Sequence, residues 1–159
     1  MFLRITSWWT SRRYCTLKPM IQKRYRFTSW DGFIKIVLKK GPSFRSDFLS
    51  LRTLPSNHSH LSSRYTKLIS ARPKLNKGMS PAPKFAVVVS KKVSKSAVTR
   101  NRIRRRIYEW LRLNLSQLDQ EQLTVIFVHN EILAKMPYLS LVEQLEKTFK
   151  KASLLKEVP

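Results

Sequence analysis

The residues best suited to chemistry in this chain form the run Arg100-Asn101-Arg102-Ile103-Arg104-Arg105-Arg106-Ile107, in which five of eight residues are arginines. Guanidinium groups this dense neutralise neighbouring phosphates and grip them bidentately. Ile103 and Ile107 stand four apart, Leu111 continues the row and Trp110 lies beside it. That spacing makes one helix face apolar and leaves the rest to arginine. A solvated charged face is the bland alternative. The charge of the whole chain favours a polyanion partner instead, because the net charge is +23 over 159 residues.

The charge is unevenly placed. Residues 1–112 hold 27 of the 32 Lys and Arg, and their only acids are Asp31, Asp47 and Glu109. The remainder is close to neutral. The hydrophobic share of 42% supports one domain with a single core. Cys15 is the sole cysteine, so no internal disulfide forms. His58, His60 and His129 make no metal-ligand spacing with it, and no protein metal site is expected. The apolar runs, such as Phe85 to Val89, are strand-sized, so no membrane span is expected. A reducing cytoplasm is the expected compartment.

The elements that must position the arginines follow from pattern. Thr28 and Ser29 offer helix caps, Asp31 falls in the first turn, and Phe33, Ile36, Val37 and Lys40 follow at helical spacing until Gly41-Pro42. Residues 43–54 read as extended, with Phe44, Phe48, Leu49 and Leu51 as apolar members. Residues 55–83 are rich in Pro, Ser, Asn and Lys and read as a loop insertion. Phe85 to Val89 is a buried strand, and Ser94 or Ser96 caps the arginine helix. Residues 122–129 form a second strong strand. Ser140 and Glu143 fit a capping box ahead of a last helix lined by Leu141, Leu145, Phe149 and Ala152. A strand–helix–strand order of this kind usually gives a parallel pair with a crossover helix on one sheet face.

Residues 1–19 contain Trp8, Trp9, Arg12 and Arg13 and no acid. A transit peptide is one reading. A secretory signal fits poorly, since Arg4, Thr6 and Ser7 interrupt its apolar part. The preferred reading is a basic extension or upstream start, with residues 20–159 as the domain.

Taken together, Val89-Ser90-Lys91-Lys92-Val93 and Ala97-Val98-Thr99-Arg100-Asn101-Arg102-Ile103-Arg104-Arg105 resemble the basic helix, and the strand before it, of the bacterial ribonuclease P protein component. Arg26-Phe27, Phe33 and Gly41 resemble that family's first helix. The strand 122–129 and Phe149-Lys150-Lys151-Ala152-Ser153 resemble its last strand and helix. The likeness runs from about residue 23 to 156, with 55–83 outside it.

The resemblance implies a single-domain α/β sandwich with a left-handed βαβ crossover, against the general right-handed rule. It implies a protein that binds the ribonuclease P RNA subunit and the 5′ leader of precursor tRNA, while the RNA, with bound Mg2+, performs the hydrolysis. The matched segments hold no paired carboxylates and no nucleophile–base pair, in keeping with that division. By segment, Lys91, Lys92, Arg100, Asn101, Arg102, Arg104 and Arg105 would face RNA. Asn101 offers either a specific hydrogen bond or a local cap, and Arg106 a solvated flank.

Phe33, Phe48 and Leu51 would contact the leader, Phe33 by stacking or, alternatively, as plain core. Leu51 stands where the family offers an aromatic ring, Tyr108 where it offers a basic residue, and the first helix is one residue longer. Tyr108 could stack on a base or pack beside Trp110. A structural rRNA-binding or ribosome-assembly protein is the competing reading. A DNA-binding or membrane-active basic protein fits the charge but leaves the strand–helix–strand core unexplained. Homo-oligomerisation is left open.

Overall fold

A computed structural model describes residues 21–27, 33–59, 61, 63, 67 and 83–155, with the side chains of Lys23 and Phe33 outside that description. The extension 1–19 and the cap candidates Thr28, Ser29 and Asp31 also lie outside it. Along the chain run α1 (Phe33–Lys40), β1 (Ser43–Arg45), β2 (Leu49–Pro55), β3 (Lys84–Val89), α2 (Ala97–Leu113), β4 (Gln122–Val128) and α3 (Tyr138–Lys151). Short 3-10 turns cover Lys23–Tyr25 and Glu131–Ala134.

The four strands form one sheet in the order β1-β2-β4-β3. β1–β2 and β2–β4 are antiparallel, whereas β3 and β4 are parallel and are joined through α2. Strand alternation sends Leu49, Leu51, Phe85, Val87, Ile126 and Val128 to one face, where Ile103, Ile107, Trp110 and Leu111 of α2 and Leu141, Leu145 and Phe149 of α3 cover them. The opposite face carries Leu54, Ala86, Leu123 and Val125, packed with Val37 of α1. Both faces are covered, so Phe85 to Val89 and Val125 to Val128 are continuous apolar runs rather than alternating ones. The rings of Trp110 and Phe149 meet at 4.9 Å and 56°, tying α2 to α3.

Two local expectations are corrected. Ser140 does not cap the last helix. Pro137 precedes it with φ −51°, the ring presets the entry, and the Leu141 N–H bonds the Pro137 carbonyl at 3.1 Å. Ser140 is therefore inside the helix. The stretch 55–83 is not simply a loop: Pro55 belongs to β2, Ser59, Leu61, Ser63 and Lys67 are helical, and Leu61 is buried against Val37 and Leu54. Proline- and serine-rich composition hid that short apolar anchor. The extended stretch 43–54 forms the β1–β2 hairpin, closed where the Ser46 N–H meets the Leu49 carbonyl at 2.8 Å.

Gly41 ends α1 by donating its N–H to the Val37 carbonyl at 2.9 Å. A Cβ there would stand 2.5 Å from the Thr53 carbonyl oxygen and 2.6 Å from that of Val37. Both obstacles are backbone, so α1 can approach β2 only over a glycine. Gly41→Ala should lower the unfolding free energy by about 1–3 kcal/mol, the usual range for overpacking, in a urea titration.

Candidate nucleic-acid interface

The basic surface is built outward from the turn between β3 and α2. The Val93 and Ser94 N–H groups return to the Ser90 carbonyl at 3.2 and 3.4 Å, and this tight turn sets the exposed Lys91 and Lys92 beside the start of α2. Ser96 is the N-cap, its Oγ accepting from the Thr99 N–H at 3.3 Å. Ser94, the other cap candidate, is buried.

The arginines divide by task. Arg100 donates from Nη1 to the carbonyls of Ser94 and Lys95, both at 2.8 Å, so this predicted RNA contact also braces the turn. Arg106 is not on a solvated flank. Its guanidinium donates to the carbonyls of Leu133 (2.6 Å) and Met136 at the end of the 131–134 turn. Burial, with Arg102 nearby, pulls its pKa down from the ordinary value. Arg104 donates to Asn101 Oδ1 at 3.1 Å, which leaves the amide NH2 of Asn101 as an outward donor. Arg102 and Arg105 are exposed. Among the described residues neither they nor Lys91 and Lys92 form an ion pair, and no acid occurs between Lys84 and Tyr108.

Tyr108 neither stacks on an open surface nor serves as a cation. It is 9% exposed, and its hydroxyl accepts the Val87 N–H at 3.3 Å. β3 is an edge strand, and this bond together with Phe27 N–H to the Phe85 carbonyl (3.2 Å) blunts its open side. Burial pushes the phenol up, while the Val87 N–H and the charges of Arg26 and Arg104 pull it back. Arg26 thus joins Arg104 at this edge, a neighbour visible only in three dimensions.

Of the leader candidates, the structure describes the side chains of Phe48 and Leu51. Leu51 is 0% exposed, in the core beneath α2 and α3, and Phe48 is half-buried against that same core. The Phe33 side chain lies outside the described residues. The correction follows from strand alternation: a shift of one residue moves a side chain through the sheet. Arg52, not Leu51, lies on the α1 side, where its Nη1 donates to the Leu38 carbonyl.

The groove that does exist on that side is formed by other residues. Val88, Ser90, Lys92, Phe127 and His129 line a depression of about 320 Å³ at the C-terminal ends of β3 and β4. Its floor is apolar, from Val88 and Phe127, and its rim is polar. His129 Nε2 and Ser50 Oγ share a hydrogen bond of 2.8 Å. Desolvation, then Arg45, lowers the His129 pKa from its ordinary 6.5. Ser50, Arg52, Val88, Phe127 and His129 had no motif to mark them; the only sequence signal was their parity along β2, β3 and β4.

The comparisons with known proteins agree with this architecture. A family profile described as Ribonuclease P matches residues 21–153. The chain belongs to the ribonuclease P protein family. The ribonuclease P protein component of a Pseudanabaena species is 31% identical over 136 residues, covering 86% of this chain and 97% of that protein. One from a Cyanothece species is 30% identical over 139 residues, covering 86% and 98%. The Staphylococcus aureus ribonuclease P protein superposes with a TM-score of 0.59 at 22% identity, covering 83% of this chain and 98% of that one. The Thermotoga maritima protein, solved with a thiourea ligand, gives 0.52 at 15% identity over 80% and 94%. These structures share the fold. As a ribonuclease P protein component, the chain is part of a tRNA-processing ribonuclease, which implies the ribonuclease P RNA as its partner.

Two outcomes follow. Arg106→Ala should destabilise the fold by about 1–3 kcal/mol, because two part-buried carbonyls lose a charged donor, whereas Arg102→Ala should leave the thermal midpoint unchanged. The fold lowers the His129 pKa, so its contribution to stability is present above pH 6.5 and is lost as pH falls through the depressed value. His129→Gln should therefore lose less stability than wild type on acidification below that pH, in parallel denaturation series.

Proposed function

We propose that the protein binds the ribonuclease P RNA through the Lys91, Lys92, Arg100, Asn101, Arg102, Arg104 and Arg105 surface. It then guides the 5′ leader of precursor tRNA through the groove floored by Val88 and Phe127. The observation that carries this reading is the set of exposed cations at the start of α2 that have no acid partner among the described residues. Binding RNA there releases condensed counterions, and the Asn101 amide adds a directional donor for a phosphate or a 2′-hydroxyl. In the groove, Phe127 and Val88 offer an apolar seat to an unpaired base, and Lys92 stands at the rim for its phosphate.

Hydrolysis is assigned to the RNA, where Mg2+, when bound, would supply an activated water. Among the described residues no three His, Cys, Asp or Glu side chains cluster as a metal cage requires, and no step is routed through protein carboxylates. The protein's own work is to bind, to orient and to neutralise charge. No helix among the described residues is long and apolar enough to cross a membrane, and the cytoplasm is the proposed site of action.

The deciding experiment is cleavage of a 5′-extended tRNA at low magnesium by the cognate RNA, with and without the protein. Protein-dependent cleavage at the mature 5′ end is expected. A folded, RNA-bound protein that gives no stimulation would return the chain to the structural rRNA-binding reading. Arg102→Ala should weaken RNA-subunit binding and reduce the log–log salt slope by about one. Phe127→Ser should mainly narrow the affinity gap between precursor and mature tRNA. If both variants show one and the same defect, the two surfaces are not separate.

A further inference from the structure

A second concavity lies at the other end of α2. Tyr25, Arg112, Leu113, Leu115, Ser116 and Gln120 line a shallow, open depression of about 510 Å³. Its walls are held in place. Gln120 Nε2 donates to the carbonyls of Leu115 (2.6 Å) and Leu118 (3.1 Å), and Asn114 Nδ2 to that of Trp110 (2.9 Å). The Arg24 guanidinium stands 4.6 Å over the Tyr25 ring, forming a flat layer of cation on aromatic. Arg112 is aimed by Glu109 through Nε (3.1 Å) and Nη2 (2.6 Å). Leu113 is 56% exposed beside them, an apolar side chain with no fold-level task.

The position of this slot matters as much as its lining. Asn101, Arg105 and Arg112 share one side of α2 with the buried Tyr108 between them, so Arg112 stands roughly 16 Å along the helix from Asn101 at 1.5 Å per residue. Arg26 and Arg104 lie between the two ends, around Tyr108. An aromatic–cation layer beside an apolar wall fits an unpaired nucleotide, the Arg24–Tyr25 layer taking the base and Arg24 the backbone, with Arg112 already paired to Glu109.

We propose that this slot receives an unpaired nucleotide of the ribonuclease P RNA subunit, so that the RNA contact runs the full length of α2. The inference rests on the proposed RNA-binding function and extends it to a surface that the arginine motif does not reach.

The test is RNA-subunit affinity and hydroxyl-radical footprinting with full-length protein carrying Leu113→Glu, Leu139→Glu or Tyr25→Leu. Leu139 is 76% exposed on α3, so its variant makes the same charge change elsewhere. Leu113→Glu and Tyr25→Leu should each weaken binding about tenfold, a typical loss for one stacked base, and remove protection from one short RNA segment. Leu139→Glu should change affinity about twofold or less and leave the footprint intact. Equal losses in Leu113→Glu and Leu139→Glu, an unaltered footprint, or a defect confined to leader-bearing tRNA would overturn the slot. Wild-type protein that fails to bind the RNA subunit would instead overturn the proposed function itself.

Discussion

A helix carrying Arg100, Arg102, Arg104, Arg105, Arg106 and Arg112 must be held against its own repulsion, and the rest of the fold is arranged around that requirement. Like charges one turn apart cost about 0.2–0.5 kcal/mol each, whereas a fully buried large apolar side chain contributes about 1.5–3 kcal/mol. Ile103, Ile107, Trp110 and Leu111 are all within 1% of full burial. Their docking on the sheet outweighs the surface repulsion, so the cations stay concentrated without a carboxylate for each. A phosphate polymer can then complete the balance.

Part of the charge is spent on architecture. Arg100 braces the turn that carries Lys91 and Lys92, and Arg106 holds the end of the 131–134 turn. Carbonyl acceptors suit this purpose, because they fix a guanidinium without cancelling its charge. Only Arg112 of this helix has a described carboxylate partner, Glu109. The same economy operates at the sheet edge. The Tyr108 hydroxyl accepts the Val87 N–H, and a position that could have carried another cation instead closes β3.

The sheet separates two working surfaces. Its α2/α3 face is wholly core, so Leu51 has no access to a ligand. Its α1 face opens at the ends of β3 and β4, where Val88 and Phe127 are half-covered. Adjacent residues of one strand therefore have unrelated duties: Leu51 packs, while Arg52 reaches over to the α1 carbonyl of Leu38. In a strand with apolar residues on both faces, composition does not say which parity faces which layer.

What the sequence by itself determined was whatever depends on local periodicity: the basic helix with its buried stripe, the two apolar strands, the last helix and, from the ordered motif, the family. Lys91, Lys92 and the exposed arginines were legible because density of like charge needs no partner to be noticed. Tertiary structure alone decided which arginines are struts, where Tyr108 points, and that Leu51 is core. It also assembled Val88, Phe127 and His129 into a groove, with Ser50 bonded to His129, and set Tyr25 beside Leu113 and Arg112. These depend on strand register and on contacts across the fold, such as the 79 positions separating Ser50 from His129. Separations of that kind leave no periodic trace in the chain, and only packing brings such residues together.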